Sequence, residues 1–466
     1  MRHEPDPQPA ALLDVAATFG TPAFVFLPGV LCANYRAFAA TLAARGLSAL
    51  IAYSYKTNYV PAVCRLLHGL GAGAEVVAAP ELELARRLGV PASRLVMNGI
   101  VKDETMLDYA AGGGCLVVNL ETDAGAAALD DLAARRGAAA CVGVRVNPGI
   151  YPYPGPHHEA WLLAARKFGH DVASGDALRF CLEVARRPHL RLAGLHVHLG
   201  AQITTAAPYE AAMDAVEGLA ADLQRRGVAI DIVDVGGGYG SRGIRRMHKD
   251  VFDQAGVGQR AGILAGIRAQ PDGFDLGRLA DRLGRWAGPA AGRPRFVFEP
   301  GRCLVAEAMV FLTRIRGIKQ SGGLTWLLVD GGISHLPTVT PNEVHRIELL
   351  AAAGRDEPPS PVGYAIAGPV CHRGDVFTFD ARFPAAPRVG DVIAIYAAGA
   401  YSLSMAAPFN AYRAPVVALD DGGPRLVWRR ETAADVFAFD VDAGAAGTGD
   451  AAACGEPAAG TGWKGA

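Results

Sequence analysis

Four short segments of the chain hold side chains whose types fit one chemistry. Lys56 stands in Tyr53-Ser54-Tyr55-Lys56-Thr57-Asn58, just after an apolar run. His196 and His198 alternate in His196-Val197-His198-Leu199-Gly200. Gly236-Gly237-Gly238 ends another apolar run, and Glu299-Pro300-Gly301-Arg302 ends a third. A lysine amine condenses with an aldehyde to an imine. Successive glycines offer backbone N–H groups to a phosphate with no side chain in the way. His198 could lie flat against an aromatic ring. Glu299 could accept a hydrogen bond from a ring nitrogen, keep the ring protonated and so let it take up carbanion electrons. The set suits a phosphorylated aromatic aldehyde.

Each segment also has a plain structural reading. A lysine after a strand is most often a solvated loop residue. A triple glycine is most often a turn, alternating histidines can be satisfied core groups, and an arginine beside a glutamate is most often its ion-pair partner. What favours chemistry is the position the elements give them. Eight β-type runs alternate with Ala/Leu/Arg-rich helical stretches such as Pro80–Leu88 and Ala211–Arg226. The runs are Ala49–Tyr53, Ala74–Ala78, Arg94–Asn98, Cys115–Asn119, Cys141–Asn147, Leu192–His198, Ile230–Val235 and Arg295–Phe298. Such alternation argues for a parallel sheet with right-handed crossovers. Eight units argue for an α/β fold of the TIM type, a (β/α)8 barrel, over the alternative of an open doubly wound sheet. In such a barrel the four segments share the C-terminal rim, where the loops after strands seven and eight commonly hold a phosphate.

After about residue 305 the texture becomes all-β. Val310–Arg316, Thr325–Val329, Asp375–Phe379, Val392–Ala397 and Arg413–Leu419 read as strands, and Ala23–Leu27 could join them. The expected organisation is a barrel over 31–305, a β domain from 1–30 and 306–440, and a disordered tail over 441–466, which is Ala/Gly/Thr/Asp-rich. Ser241–Asp275 is expected to form a long loop or short helices after strand seven.

These motifs resemble the fold-type III pyridoxal 5′-phosphate (PLP) decarboxylases, the family of diaminopimelate, ornithine and arginine decarboxylases. The likeness runs from about Phe24 to Arg413 and is nearest to the diaminopimelate decarboxylase pattern. It includes Arg166-Lys167-Phe168-Gly169, Gly194–Gly200, Gly236–Gly238 with Gly240, Gly368-Pro369-Val370-Cys371, Gly374-Asp375 and Gly399-Ala400-Tyr401, besides the Lys56 and Glu299 segments. The resemblance implies that Lys56 is the Schiff-base lysine, that His198 stacks on the ring and that Glu299 meets the ring nitrogen. It implies that Gly236, Gly237 and Gly238 hold the phosphate, with Gly301 and Tyr401 among the cofactor contacts. Arg302 falls in the region of the cofactor and the substrate carboxylate, and Tyr401 also belongs to the substrate side. Cys371 is implied to arrive from the partner subunit of a homodimer as a proton donor.

Departures gather at particular points. Ala201 stands where the family often has a serine, which removes one hydroxyl contact worth about 1 kcal/mol. Glu75 replaces a common Asp near the ring. His372 follows Cys371 where the family has an acidic residue that meets a distal amino group. No arginine in Asp330–His345 matches the one that grips the distal carboxylate of diaminopimelate; Thr338 stands near that place, and Glu343 is the alternative acid for an amine. The expected activity is therefore decarboxylation of an amino acid other than diaminopimelate, one without a simple distal ammonium group, possessing instead a neutral or anionic end, acylated or carrier-tethered. The alternatives are a racemase or epimerase and a non-catalytic PLP-binding paralogue. Glu299 speaks against a racemase, which by the resemblance has an arginine at the ring nitrogen. The presence of Lys56 and Cys371 speaks against a non-catalytic carrier.

Composition sets the outer bounds. The chain has 466 residues, 51% of them hydrophobic, with a formal net charge of −1 and a pI near 6.9. No basic face for nucleic acid is expected. The eight cysteines are scattered without metal-site spacing, so no metal is expected. No stretch of about 20 apolar residues suggests a membrane span, and Met1–Asp6 lacks the apolar core of a signal peptide. A cytoplasmic compartment is expected.

Overall fold

The computed structural model describes residues 6–153, 163–246, 273–287, 294–339, 343–350 and 362–440. Eight parallel strands form the barrel: Ala49–Ser54, Gly73–Val76, Leu95–Met97, Val117–Leu120, Ala140–Asn147, Leu190–His196, Ile232–Asp234 and Arg295–Phe298. Every strand pairs with the next. The ring closes through Val118↔Val142 on one side and Val297↔Leu50 on the other. That closure rules out the open doubly wound sheet. All eight expected runs are strands, with ends shifted by at most two residues.

Near-continuous apolar runs suit strands buried on both faces. Helices cover the outer face, and their sequences show why. In Ala207–Arg225, Tyr209, Ala212, Met213, Val216, Leu219 and Leu223 are buried, the three-and-four spacing of a helix with one apolar stripe. Asp103 and Thr122 cap Glu104–Ala111 and Asp123–Arg135 by accepting from Met106 N and Gly125 N.

The second domain is built on the long strand Met309–Ser321. It turns through Gly322-Gly323, both at positive φ, into Leu324–Val329. Ala23–Phe26 pairs antiparallel with Met309–Leu312 and parallel with Val416–Ala418, so the early strand does join this sheet. Phe24 and Phe311 pack with ring centroids 4.9 Å apart. In this domain Glu343–His345, Ile347–Leu349, Tyr364–Ala367 and Gly423–Trp428 were not foreseen, nor was His170–Asp171 beside the barrel. Within Ser241–Asp275 the described residues, 241–246 and 273–275, include a strand, Ile244–Arg246, paired antiparallel with Glu343–His345. Most of that stretch, and all of 441–466, lies outside the described residues.

Candidate active site

Six barrel strands end in polar residues, and these residues meet. Glu75, Asn98, Asn119, His196, Asp234 and Glu299 are all buried at the C-terminal rim. The Asn98 amide donates to Glu75 at 2.9 Å and to Glu299 at 2.6 Å. Asn119 donates to Asn98 Oδ1 at 2.8 Å and to Asp234 at 3.0 Å. His196 Nε2 stands 3.7 Å from Glu299. Buried polar groups without partners are costly, so such a network holds its members in one arrangement.

Charge within the network is divided unequally. Burial works against an anionic Glu299, but His196, Lys56 and the hydrogen bond from Asp234 outweigh it and hold its carboxyl far below the usual range. Burial, reinforced by Glu299, drives Asp234 the other way, so Asp234 keeps its proton and shares it with Glu299. His196, Asp234 and Glu299 also lie close enough to ligate a metal ion. The shared proton and the two asparagine donors account for the carboxylates without one.

Lys56 sits in the short helical turn Tyr55–Thr57 that follows the first barrel strand. Its Nζ lies 2.7 Å from Glu75, whose same oxygen accepts from Ser54. Burial would strip the ammonium of its proton, yet Glu75 and Glu299 raise the pKa above the ordinary lysine value. About one third of the side chain is exposed, and it lines a narrow cleft. His198, Gly238, Glu299, Gly301, Arg302 and Tyr401 line the same cleft. Burial and the nearby Lys56 push His198 down to about 3, so its imidazole is neutral. Its Nδ1 accepts from Gly237 N at 3.2 Å.

The glycine loop cannot be anything else. A Cβ on Gly237 would fall 2.3 Å from Glu299 O, and one on Gly238 would fall 2.2 Å from Gly200 O. The β domain completes the cleft from above. Tyr401 N donates to Thr57 O at 2.8 Å, and Tyr401 adopts φ +59°, a strained value for a non-glycine residue. Its ring lies 5.1 Å from the Arg302 guanidinium. Arg302 does not pair with the neighbouring Glu299, as a simple ion-pair reading of that segment would have it. It meets Glu343 at 2.7 Å, both side chains being buried. Glu343 is thus held by Arg302, and its pKa falls to about 2 against the pull of burial.

The expected residues on the cleft or directly behind it are Lys56, Glu75, His198, Gly236, Gly237, Gly238, Glu299, Gly301, Arg302 and Tyr401. Cys371 and His372 are not among them: both are exposed on a loop of the β domain. Ala201 lines the cleft, and the Tyr153 hydroxyl brackets it, donating to Ala201 O at 2.6 Å and accepting from Ala201 N at 2.7 Å. The sequence reading missed Asn98, Asn119, Asp234 and Gln202. The first three had a signal, since each is a polar residue at or just beyond the end of an apolar run on the same rim as His196 and Glu299.

The chemistry of this donor set suits PLP. It offers a single lysine amine, a glycine loop whose close packing leaves only backbone at its surface, a neutral imidazole and a carboxylate kept anionic. Buried polar atoms without hydrogen-bond partners, Thr57 Oγ1 and Arg302 Nε, border the same space.

Comparison with known proteins agrees with this geometry. Residues 31–256 match the family model described as pyridoxal-dependent decarboxylase, pyridoxal binding domain. A diaminopimelate decarboxylase of Actinosynnema pretiosum is 33% identical over 439 residues, spanning 92% of this chain and 90% of the relative. One from Aquifex aeolicus is 28% identical over 424 residues, spanning 90% of this chain and 92% of the relative. The crystal structure of diaminopimelate decarboxylase from Methanocaldococcus jannaschii in complex with L-lysine superposes with a TM-score of 0.79 at 28% identity, covering 92% of this chain and 94% of that one. Barrel, β domain and rim together define a fold-type III PLP enzyme. The chain belongs to the pyridoxal-dependent decarboxylases and is related to diaminopimelate decarboxylase; it is an enzyme that uses PLP.

Proposed function

We propose that this enzyme decarboxylates an amino acid whose side chain ends in a neutral or anionic group, and that diaminopimelate is not its substrate. The observation that carries the reading is the Arg302–Glu343 pair. Arg302 is already neutralised, so a distal carboxylate entering beside it gains little. Glu343 is already committed, so it is not the free acid that a distal ammonium group requires. Glu75 is bound to Lys56, and Glu299 to the rim network. His372, in the place of an acid, already accepts from Gly374 N through Nδ1, so it has no acceptor left for an amine when neutral and repels one when protonated.

Bound PLP supplies the electron sink for the pair left on Cα when the carboxylate departs. In this reading Lys56 holds the cofactor, the Gly236–Gly238 backbone orients its phosphate, and the neutral His198 covers one face of the ring. Glu299 keeps the ring nitrogen charged, while Asn98 and the protonated Asp234 fix the carboxylate in place. Cys371 of a second copy supplies the proton that replaces the lost carboxylate, which makes the working form a dimer. That role agrees with the exposure of Cys371 away from the cleft of its own chain. The described cysteines are all free, and no described helix is long and apolar enough to cross a membrane. A reducing, cytoplasmic setting fits the free thiols.

The test is a substrate panel on the holoenzyme, scored by release of carbon dioxide. Neutral and acidic side-chain conjugates should exceed diaminopimelate, lysine, ornithine and arginine in kcat/KM. Turnover of diaminopimelate or a free diamino acid near 10⁴ M⁻¹s⁻¹, about the lower end for native substrates, as the best of the panel would sink the reading.

A further inference from the structure

Glu343 has two sides. One oxygen meets Arg302, which lines the Lys56 cleft, and the residue itself lines a second groove between barrel rim and β domain. That groove is open to solvent and is the larger of the two. The cleft suits a cofactor ring and the reacting carbon of a small amino acid. The groove has room for a bulkier group than the reacting end of an amino acid.

Four guanidinium groups line it: Arg242, Arg245, Arg346 and Arg382. The carboxylates lining it are Glu343 and Asp380. The arginines come from separate parts of the chain and are brought together by strand pairing. Ile244–Arg246 pairs antiparallel with Glu343–His345, with Ile244 opposite His345, which sets Arg242 and Arg346 at the same end of a short ribbon. Arg382 follows the strand Val376–Ala381. Arg346 is shared with Asp6 and Glu348 and lies 3.7 Å over the Tyr396 ring. Arg382 leans on Asp380 at 3.2 Å and is largely exposed. Arg242 has no carboxylate partner among the described residues. The Arg242 loop itself is fixed from behind, because Glu307 accepts from the backbone N–H groups of Arg242 and Gly243 at 3.0 Å.

Guanidinium groups favour carboxylates through paired, planar hydrogen bonds, and several around one groove favour a ligand with several carboxylates. We infer that this groove is a subsite for the far end of the substrate, and that this end is a di- or tricarboxylate joined to the amino acid that reacts at Lys56. The inference rests on the reading above and names the class of conjugate. Glu343 then has a second effect. By neutralising Arg302 it keeps the polycarboxylate end from docking at the reacting end, so the conjugate enters in one direction.

The experiment is calorimetric titration of tricarballylate into the holoenzyme, with acetate as the monovalent control. Tricarballylate should bind; acetate should not. Arg242→Glu and Arg382→Glu should each weaken tricarballylate by about tenfold or more, while Arg135→Glu, on an exposed helix face, should not. Melting curves confirm that the variants fold. Absence of tricarballylate binding, or binding indifferent to both groove substitutions, overturns the subsite. So does loss of the dimer in light scattering with no effect on tricarballylate, which would assign the groove to a second copy of the chain. If neutral conjugates turn over best and tricarballylate does not bind, the subsite fails and the proposed function stands. If diaminopimelate turns over best, the proposed function itself fails.

Discussion

Arg302 and Glu343 meet at 2.7 Å across the boundary between barrel and β domain, and both are buried. Removing one partner of such a pair leaves a charge without compensation and costs about 3–5 kcal/mol. Glu343→Ala should therefore destabilise the cofactor-free protein by about that amount in urea unfolding. Arg302→Met combined with Glu343→Leu should recover most of the loss, since an apolar pair of similar volume is about neutral. A double variant no more stable than Glu343→Ala would show that the pair is not what holds this boundary.

Lys56 is the amine that the cleft presents. Reduction of the holoenzyme with borohydride should fix PLP to the protein, and Lys56→Ala should abolish that fixation while leaving the fold intact. Peptide mapping that finds the reduced adduct on another lysine would remove Lys56 from its role.

Glu299 keeps its charge against burial through Asn98, His196 and Asp234. A hydrogen bond to a charged group is worth about 1.5–3 kcal/mol, so Glu299→Gln should lower kcat by roughly 10- to 150-fold if the bond matters only in the transition state. PLP affinity, read by fluorescence titration, should move far less. Equal losses in kcat and cofactor affinity would make Glu299 a binding group only.

His198 gives the apoprotein a sign-defined acid sensitivity. Its pKa is lowered from 6.5 to about 3 by burial and by Lys56, so the unfolded chain takes up a proton well before the folded one does. Stability rises with pH wherever the unfolded state binds more protons. Its contribution is full above about pH 6.5 and is lost progressively as pH falls toward 3. His198→Asn should flatten the urea midpoint between pH 7 and pH 5.5. A slope equal to wild type would mean that His198 ionises normally.

Cys371 is exposed and lies off the cleft of its own chain. Lys56→Ala and Cys371→Ala homodimers should each be impaired. After mixing and subunit exchange about a quarter of wild-type activity should return, because one site in each mixed dimer regains both groups. Proven exchange without recovery would place Cys371 outside the reaction.

The barrel was readable because seven of its eight apolar runs end at or beside a residue of the site. Burial on both faces forces the runs to be apolar, so a polar residue at the end of one, such as Asn98 or Glu299, stands out. The β domain was less readable. Glu343–His345 and Ile347–Leu349 are three residues long and mix charged with apolar types, so no alternation can develop. The partner of Arg302 was hidden for the same reason: Glu343 sits on one of those short strands, and nothing local marks it as the residue that reaches the barrel. Asp234 was visible as a residue, but its proton was not, because that depends on Glu299 coming close from a different strand.

The strand Ala23–Phe26 has a consequence for the order of biosynthesis. It lies between Met309–Ser321 and Val416–Asp420, and its parallel partner leaves the ribosome roughly 390 residues later. The barrel strands are all made in the interval, so the barrel can collapse while this early strand waits with both edges open. Until the last strands emerge, the apolar segment Ala23-Phe24-Val25-Phe26 keeps at least one open edge that other chains can recognise. Chaperone occupancy during translation is therefore expected to concentrate at this N-terminal segment and to end only when synthesis has passed Val416–Asp420.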